Sequence, residues 1–378
     1  MKNIFLLVAF ALVLCKAGAQ EKKTYHANGQ LESVGNYSDD KPTGAWTYYY
    51  KNGGLQYSGS YLEGKLTGEW KFYYTNSQLL QIGSFANGKK TGEWKVYYLE
   101  GTLKETGHFL QGEKTGNWKL YTKKGVLNFI ENYGNGKKEG KEKHFHPNGQ
   151  IRYNGTFLGG KETGKWNIYG ENGELEQVGL YANGKRIGQW KTYHKNGKLS
   201  SIGNYTKGVP TGEWKYYYDE GQLHYIGNFS SDLKIGEWKY YNKQGQLTSI
   251  ENHVDEETMR KSIYNAETGQ LNSVGNFIDY YKEGEWMNYH QNGTLSAIGN
   301  YSEDYRTGEW KLYHENGQIY QVHIYNEGML MNITSCFDGN GNTLNLGTLI
   351  NGNGTVKEYD INGTLLKQIN YVNGRREL

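Results

Sequence analysis

Proline is nearly missing from this chain, with 3 in 378 residues, and cysteine is as scarce, with 2. So little proline leaves strands free to run without losing ladder donors. Two cysteines, Cys15 and Cys336, exclude a disulfide-stapled scaffold, and Cys336 alone is left if the N-terminal segment is removed. A surplus of one charge is missing too: 42 Lys and Arg stand against 39 Asp and Glu, for a net charge of +3. The charges are spread, not blocked, which excludes a large basic footprint for nucleic acid and leaves only weak attraction to anionic lipid. Past Ile4–Leu14 no apolar run is long enough to cross a bilayer as a helix. A mean hydropathy of −0.83 argues against a thick core and for a thin layer with much solvated surface.

What is present is aromatic and periodic. Aromatics make up 15% of the residues, 35 of them tyrosine, and glycine numbers 53. Trp46, Trp70, Trp94, Trp118, Trp166, Trp190, Trp214, Trp238, Trp286 and Trp310 are spaced by 24 residues or by 48. A strict period of this length predicts an array built from one small repeated unit. Residues 1–19 read as a secretory signal: Lys2, the apolar stretch Ile4–Leu14, then Ala17-Gly18-Ala19 before Gln20. An exported mature chain follows, with a charge near +1 after loss of Lys2 and Lys16.

The unit contains two strands. Thr67 to Tyr74 is the first, Asn76-Ser77 the turn, Leu79 to Phe85 the second, and Asn87-Gly88 leads into the next unit. Most units carry Asn-Gly where this one has Asn76-Ser77, and Asn-Gly between apolar runs is a strong hairpin signal because both residues tolerate φ > 0. The fold class expected is all-β: an elongated antiparallel meander, or solenoid, of 24-residue hairpins. A symmetric two-residue turn pairs Tyr74 with Leu79, Phe72 with Gln81, Trp70 with Gly83 and Gly68 with Phe85. Paired residues share a face, so Trp70, Phe72, Leu79 and Phe85 are expected together, with Trp70 covering its cross-strand Gly83. The structural columns are then Trp70, Trp94, Trp118, Trp190, Trp214 and Trp238, with Gly59, Gly83, Gly107 and Gly203. About twelve full units run from Gly44 within an array of residues 20–331, and 332–378 read as a degenerate cap.

The opposite face is expected to carry a tyrosine column flanked by Lys and Glu. Tyr73, Tyr97, Tyr121, Tyr169, Tyr193, Tyr217 and Tyr241 are the candidate partner-binding residues. Two units lose their marks without losing phase. Glu142 takes a tryptophan position and Glu131 a glycine position; Arg260, Ser262 and Glu251 do the same one hundred and twenty residues on. Both are candidate kinks or contact points.

Stretches such as Tyr61-Leu62-Glu63-Gly64-Lys65-Leu66-Thr67-Gly68-Glu69-Trp70-Lys71 resemble the MORN repeat in its bacterial variant form. The resemblance covers residues 25–331 and extends more weakly to the end. It implies a β-hairpin array acting as a scaffold for protein or lipid. Bacterial relatives are often labelled YwqK-family antitoxins, which implies an antitoxin or immunity-type protein as the alternative role.

No constellation in the sequence calls for catalysis, a cofactor or a metal. His144 and His146 are two residues apart and within reach of one metal ion, and a hydrolase reading would rest on that pair. The plainer reading is two amphipathic rings, because His194, His290 and His314 occupy a column usually held by tyrosine. Cys336 has no fixed histidine partner. The function expected is therefore a non-enzymatic, exported scaffold whose repeated aromatic face binds a protein or a cell-envelope glycan. The sequence leaves the oligomeric state open.

Overall fold

The computed structural model describes residues 18–377. The signal-peptide expectation for residues 1–19 therefore falls almost entirely, with Cys15, outside the described residues. Among the described residues there is no helix, and strands alternate with tight turns. The chain forms two compact units, one of residues up to 174 with 181–184, the other of 175–180 with 185 onwards. Within each, consecutive strands pair antiparallel in chain order, as Lys65–Tyr73, Leu79–Ala86 and Lys89–Tyr97 do.

The hairpin register agrees with the sequence at three of its four pairs: Phe72 faces Gln81, Trp70 faces Gly83 and Gly68 faces Phe85. The fourth differs, because Leu79 pairs with Tyr73 and not with Tyr74. The turn is the reason. Tyr74 N–H donates to the Gln78 carbonyl at 2.8 Å and Ser77 N–H to the Tyr74 carbonyl at 2.9 Å. Only Ser77 takes a positive φ, 69°, as Gly53 does at 81° in its unit. This is a type I turn closed by one left-handed residue, the three-residue loop with a bulge. The mirror-image two-residue turn expected there occurs instead between units, where Asn87 has φ 50° and Gly88 79°.

A second irregularity sets the main packing. Ile82 pairs with Lys95 and Ser84 with Thr91, so Gly92-Glu93-Trp94 stand against the single residue Gly83. Gly92 makes this bulge with φ 67°. The bulge tips the Trp94 indole back over Gly83, where a Cβ would fall inside the ring. Each indole thus covers the glycine eleven residues before it. The expectation that Trp70 covers Gly83 is corrected: Trp70 covers Gly59, and Gly83 is its ladder partner only. The indole N–H then donates to the next backbone carbonyl, Trp94 to Ser84 at 3.2 Å and Trp70 to Ser60 at 3.2 Å. Trp70, Trp94, Trp118, Trp190, Trp214 and Trp238 are all buried.

The second compact unit ends in a small antiparallel sheet of Gly354–Tyr359, Leu365–Val372 and Arg375–Arg376. It packs on the preceding strand Met329–Cys336 through a cluster of Leu330, Ile333, Leu349 and Val356. The buried Cys336 lies under it, with Gln321 Nε2 3.4 Å from its Sγ.

Candidate functional site

Three aromatic columns follow from the 24-residue unit, and they do different work. The tryptophans form the first. Edge-to-face contacts link Tyr37, Trp46, Tyr61, Trp70, Phe85, Trp94, Phe109, Trp118 and Tyr133 in sequence, with centroids 5.0–6.4 Å apart. Such contacts let the positive ring edge meet the negative face of its neighbour. At six of the ten tryptophans a cation four residues earlier closes the stack from above. Lys90 lies 3.9 Å from the Trp94 ring centre, Lys114 3.8 Å from Trp118, and Arg306 4.4 Å from Trp310. Burial against the rings lowers the Lys90 and Lys234 ammonium pKa. The periodicity of tryptophan and glycine does not reveal these cations; the signal that does is Lys or Arg recurring four residues before tryptophan.

The second column is Tyr50, Tyr74, Tyr98 and Tyr218, with histidine at 26, 146, 194, 290 and 314. Each ring spends its polar end on the backbone of the following hairpin. Tyr74 Oη donates to the Tyr97 carbonyl at 2.8 Å, and His194 Nε2 lies 2.9 Å from the Tyr217 carbonyl. Asn28, Asn196 and Asn292 add a parallel link from turn to turn, as Asn196 Nδ2 donates to the Asp219 carbonyl at 2.6 Å. Tyrosine and histidine share this column because both carry a ring with a polar atom at its far end.

The third column holds the candidate partner-binding residues Tyr73, Tyr97, Tyr121, Tyr169, Tyr193, Tyr217 and Tyr241. All are half-buried. The carbonyls of all but Tyr193, which follows Gly170 in the second column, receive that column's bonds, but among the described residues their rings pack on no other aromatic and their hydroxyls bond to no protein group. Beside them lie exposed ion pairs such as Lys71–Glu69 at 3.2 Å, Lys95–Glu93 at 3.2 Å, Lys215–Glu213 at 2.9 Å and Lys239–Glu237 at 2.8 Å. Exposed pairs of this kind add little to stability.

The two irregular units break the tryptophan stack and replace it with buried charge. In the first, Glu131 and Glu142 are 7% and 3% exposed. Lys138 Nζ lies 2.7 Å from Glu131 and 3.0 Å from Glu142, and Tyr133 Oη donates to Glu131 at 2.7 Å. Burial alone would raise the Glu131 carboxyl; the bonds from Lys138 and Tyr133 outweigh it and hold it below the usual range. For Lys138, burial pulls the ammonium down and the two carboxylates more than restore it, leaving it raised. His144 and His146, considered above as a pair, serve different partners: His146 Nε2 lies 2.9 Å from the Tyr169 carbonyl, while His144 Nε2 lies 2.6 Å from Glu142. In the second, Glu251 meets Lys261 at 2.8 Å and His253 at 3.3 Å, and accepts from Tyr240 at 2.6 Å. Here the bulge disappears. Arg260 stands where the left-handed glycine would be, and the strand runs straight, with Ile250 facing Ser262 and Asn252 facing Arg260.

Repeated hairpins whose apolar rings are consumed in packing, and whose opposite side carries a regular set of free rings and charges, define a repeat scaffold. The chain belongs to the MORN repeat variant family, whose model matches residues 21–39, 42–63, 66–87, 90–111, 138–158, 186–207, 210–230, 282–303, 306–327 and 353–373. No curated protein matches it. Among solved structures, a TcdB2-TccC3-Cdc42 crystal structure is similar at 12% identity with a TM-score of 0.17, over 93% of this chain and 23% of that one. The Photorhabdus luminescens Tc holotoxin pore is similar at 12% identity with a TM-score of 0.17, over 95% of this chain and 22% of that one. The chain thus spans under a quarter of the length of either.

Proposed function

We propose that this protein is a non-enzymatic, exported scaffold that binds a cell-envelope protein or glycan through the tyrosine column of Tyr73, Tyr97, Tyr121, Tyr169, Tyr193, Tyr217 and Tyr241. The observation that carries this is the contrast between columns. The tryptophans and the Tyr74-type rings are committed to packing and backbone bonds, whereas among the described residues these half-buried tyrosines make no ring–ring contact and their hydroxyls bond to no protein group. A ring of that kind suits either a sugar face or a peptide side chain. Two strands per repeat put tyrosines one repeat apart within a compact unit, such as Tyr73, Tyr97 and Tyr121, about 10 Å from one another. Weak contacts repeated at that interval along a single partner add through effective concentration, without any one being strong.

The test is retention of residues 20–378 on isolated cell envelope, before and after protease treatment of the envelope. The variant carrying Tyr193→Ala, Tyr217→Ala and Tyr241→Ala should lose most retention while keeping its far-ultraviolet spectrum. Survival of binding to protease-treated envelope would favour a glycan. Equal retention of the variant and the wild type would end this reading.

A further inference from the structure

The cluster at Glu131, Glu142 and His144 is assembled by the repeat itself. In a regular unit the tryptophan lies over the glycine eleven residues earlier, so those two positions touch. Carboxylates at both, Glu142 for the indole and Glu131 for the glycine, are therefore brought together in space vacated by a ring. Position 144 shares that face, as Phe72 shares it with Trp70. Its imidazole is clamped between Phe129, 5.0 Å away, and Tyr153, 4.3 Å away, which fixes the ring plane.

We propose that Glu131, Glu142 and His144 form a binding site for a divalent transition-metal ion of the zinc class, with Lys138 as a displaceable lid. Their ligand atoms all lie within 4.8 Å of one another. Ligand atoms around a tetrahedral zinc sit roughly 3.4 Å apart, at bond lengths near 2.1 Å. His144 Nε2 is 2.6 Å from Glu142 Oε1 and 3.7 Å from Glu131 Oε1, so rotamer adjustments suffice. The Nε2 atom is buried and has no aligned hydrogen-bond partner despite that short approach. The imidazole nitrogen thus faces both carboxylates, the arrangement that three ligands of one cation require. Both carboxylate side chains are at least nine-tenths buried, at 9% and 2% exposure. A divalent ion taking the place of the Lys138 ammonium would balance the two carboxylates. Lys138 is the most exposed member, at 31%, and its flexible stem can carry the ammonium into solvent. Tyr133, bonded to the far oxygen of Glu131, holds that carboxylate in place from behind. The second irregular unit provides an internal contrast. Glu251 recurs there, with His253 and Lys261 beside it from the positions of Tyr133 and Lys141, but Ser262 stands where the second carboxylate would be and Tyr264 where the histidine would be, so the three ligands come together only in the first of the two units.

The experiment titrates metal-free residues 20–378 with Zn2+ against a chromophoric chelator, with Co2+ absorption as a second readout. One equivalent should bind in the wild type and be lost in Glu142→Gln and in His144→Ala. Lys138→Ala should bind at least tenfold tighter, and Tyr133→Phe about tenfold to a hundredfold weaker. Glu251→Gln should leave the stoichiometry unchanged. Near-ultraviolet spectra of each variant separate lost ligation from lost folding. Wild-type stoichiometry that is zero, or that survives His144→Ala and Glu142→Gln, would overturn the proposal. Binding that appears only in Lys138→Ala would overturn it as well, since Lys138 would then be the resident cation.

Discussion

At the scale of single residues, the glycines under the indoles are constrained by contact, not by backbone freedom. A Cβ at Gly203 would fall within the Trp214 ring. Gly203→Ala should therefore destabilise by about 1–3 kcal/mol through overpacking, although glycine to alanine in an unstrained site ordinarily stabilises. Trp214→Ala should cost about 3–5 kcal/mol. Because the three atoms nearest the added methyl all belong to the indole, the double variant should fall short of the sum, as urea midpoints followed by circular dichroism would show. Additive costs would mean that the methyl is excluded by something else. Buried glutamates make a second prediction. Burial pushes the Glu251 carboxyl up, but the bonds from Lys261 and Tyr240 outweigh this and leave it depressed. A depressed carboxyl contributes stability that is fully present above its unfolded value, about 4.3, and is lost as pH falls through the folded value. Glu251→Gln should thus flatten the acid side of the stability profile below about pH 4.3 while lowering stability near neutrality. An acid limb as steep as in the wild type would contradict this.

At the scale of the hairpin, much of the register was legible because the spacing from Trp70 to Gly83 forces their pairing once a turn lies midway. What the pattern concealed was turn type. Asn-Gly appears at both turns of the unit, yet only the link between units uses the conformation with two positive φ angles, as at Asn87 and Gly88. The other turn spends its asparagine on neighbours: Asn196 accepts from Lys198 N–H at 3.0 Å and donates to the next turn. Nothing within one repeat announces a bond to the following repeat, so the direction of indole stacking and the role of the Tyr74 column both escaped. The candidate tyrosines were legible as a column, but their separation from the neighbouring column was not. Adjacent residues test that separation. Tyr218→Phe removes the bond from Oη to the Tyr241 carbonyl, 2.9 Å long, and should cost about 0.5–1.5 kcal/mol. Tyr217→Phe deletes a hydroxyl with no protein partner and should leave the melting temperature unchanged. Equal effects would show that the two columns are not distinct in the folded chain.

At the scale of the molecule, a meander confines each strand's contacts largely to its sequence neighbours, so stability should be a sum of local terms and not a single global one. The end of the second compact unit is where this can be measured. Val356 belongs to the cluster with Leu330, Ile333 and Leu349, and bonds from Gly352 N–H to the Met331 carbonyl at 2.8 Å and from Leu330 N–H to the Gly374 carbonyl at 3.0 Å tie the small sheet to the strand before it. Val356→Ala removes two buried methyl groups, with a loss on the order of 1–3 kcal/mol if the site does not collapse. Amide exchange should then quicken in Met329–Cys336 and Gly354–Tyr359, fade within one or two hairpins, and be unchanged in Lys185–Tyr193 of the same unit. Local opening of this kind is the expected behaviour of contiguous cooperative segments. The same locality explains how two units can carry buried charge in place of the indole: each loss is absorbed by its own hairpin and those beside it, leaving phase and pairing elsewhere intact. Uniform acceleration of exchange across the unit would show instead that the hairpins open together, and the irregular units would then need a stabilising role of their own.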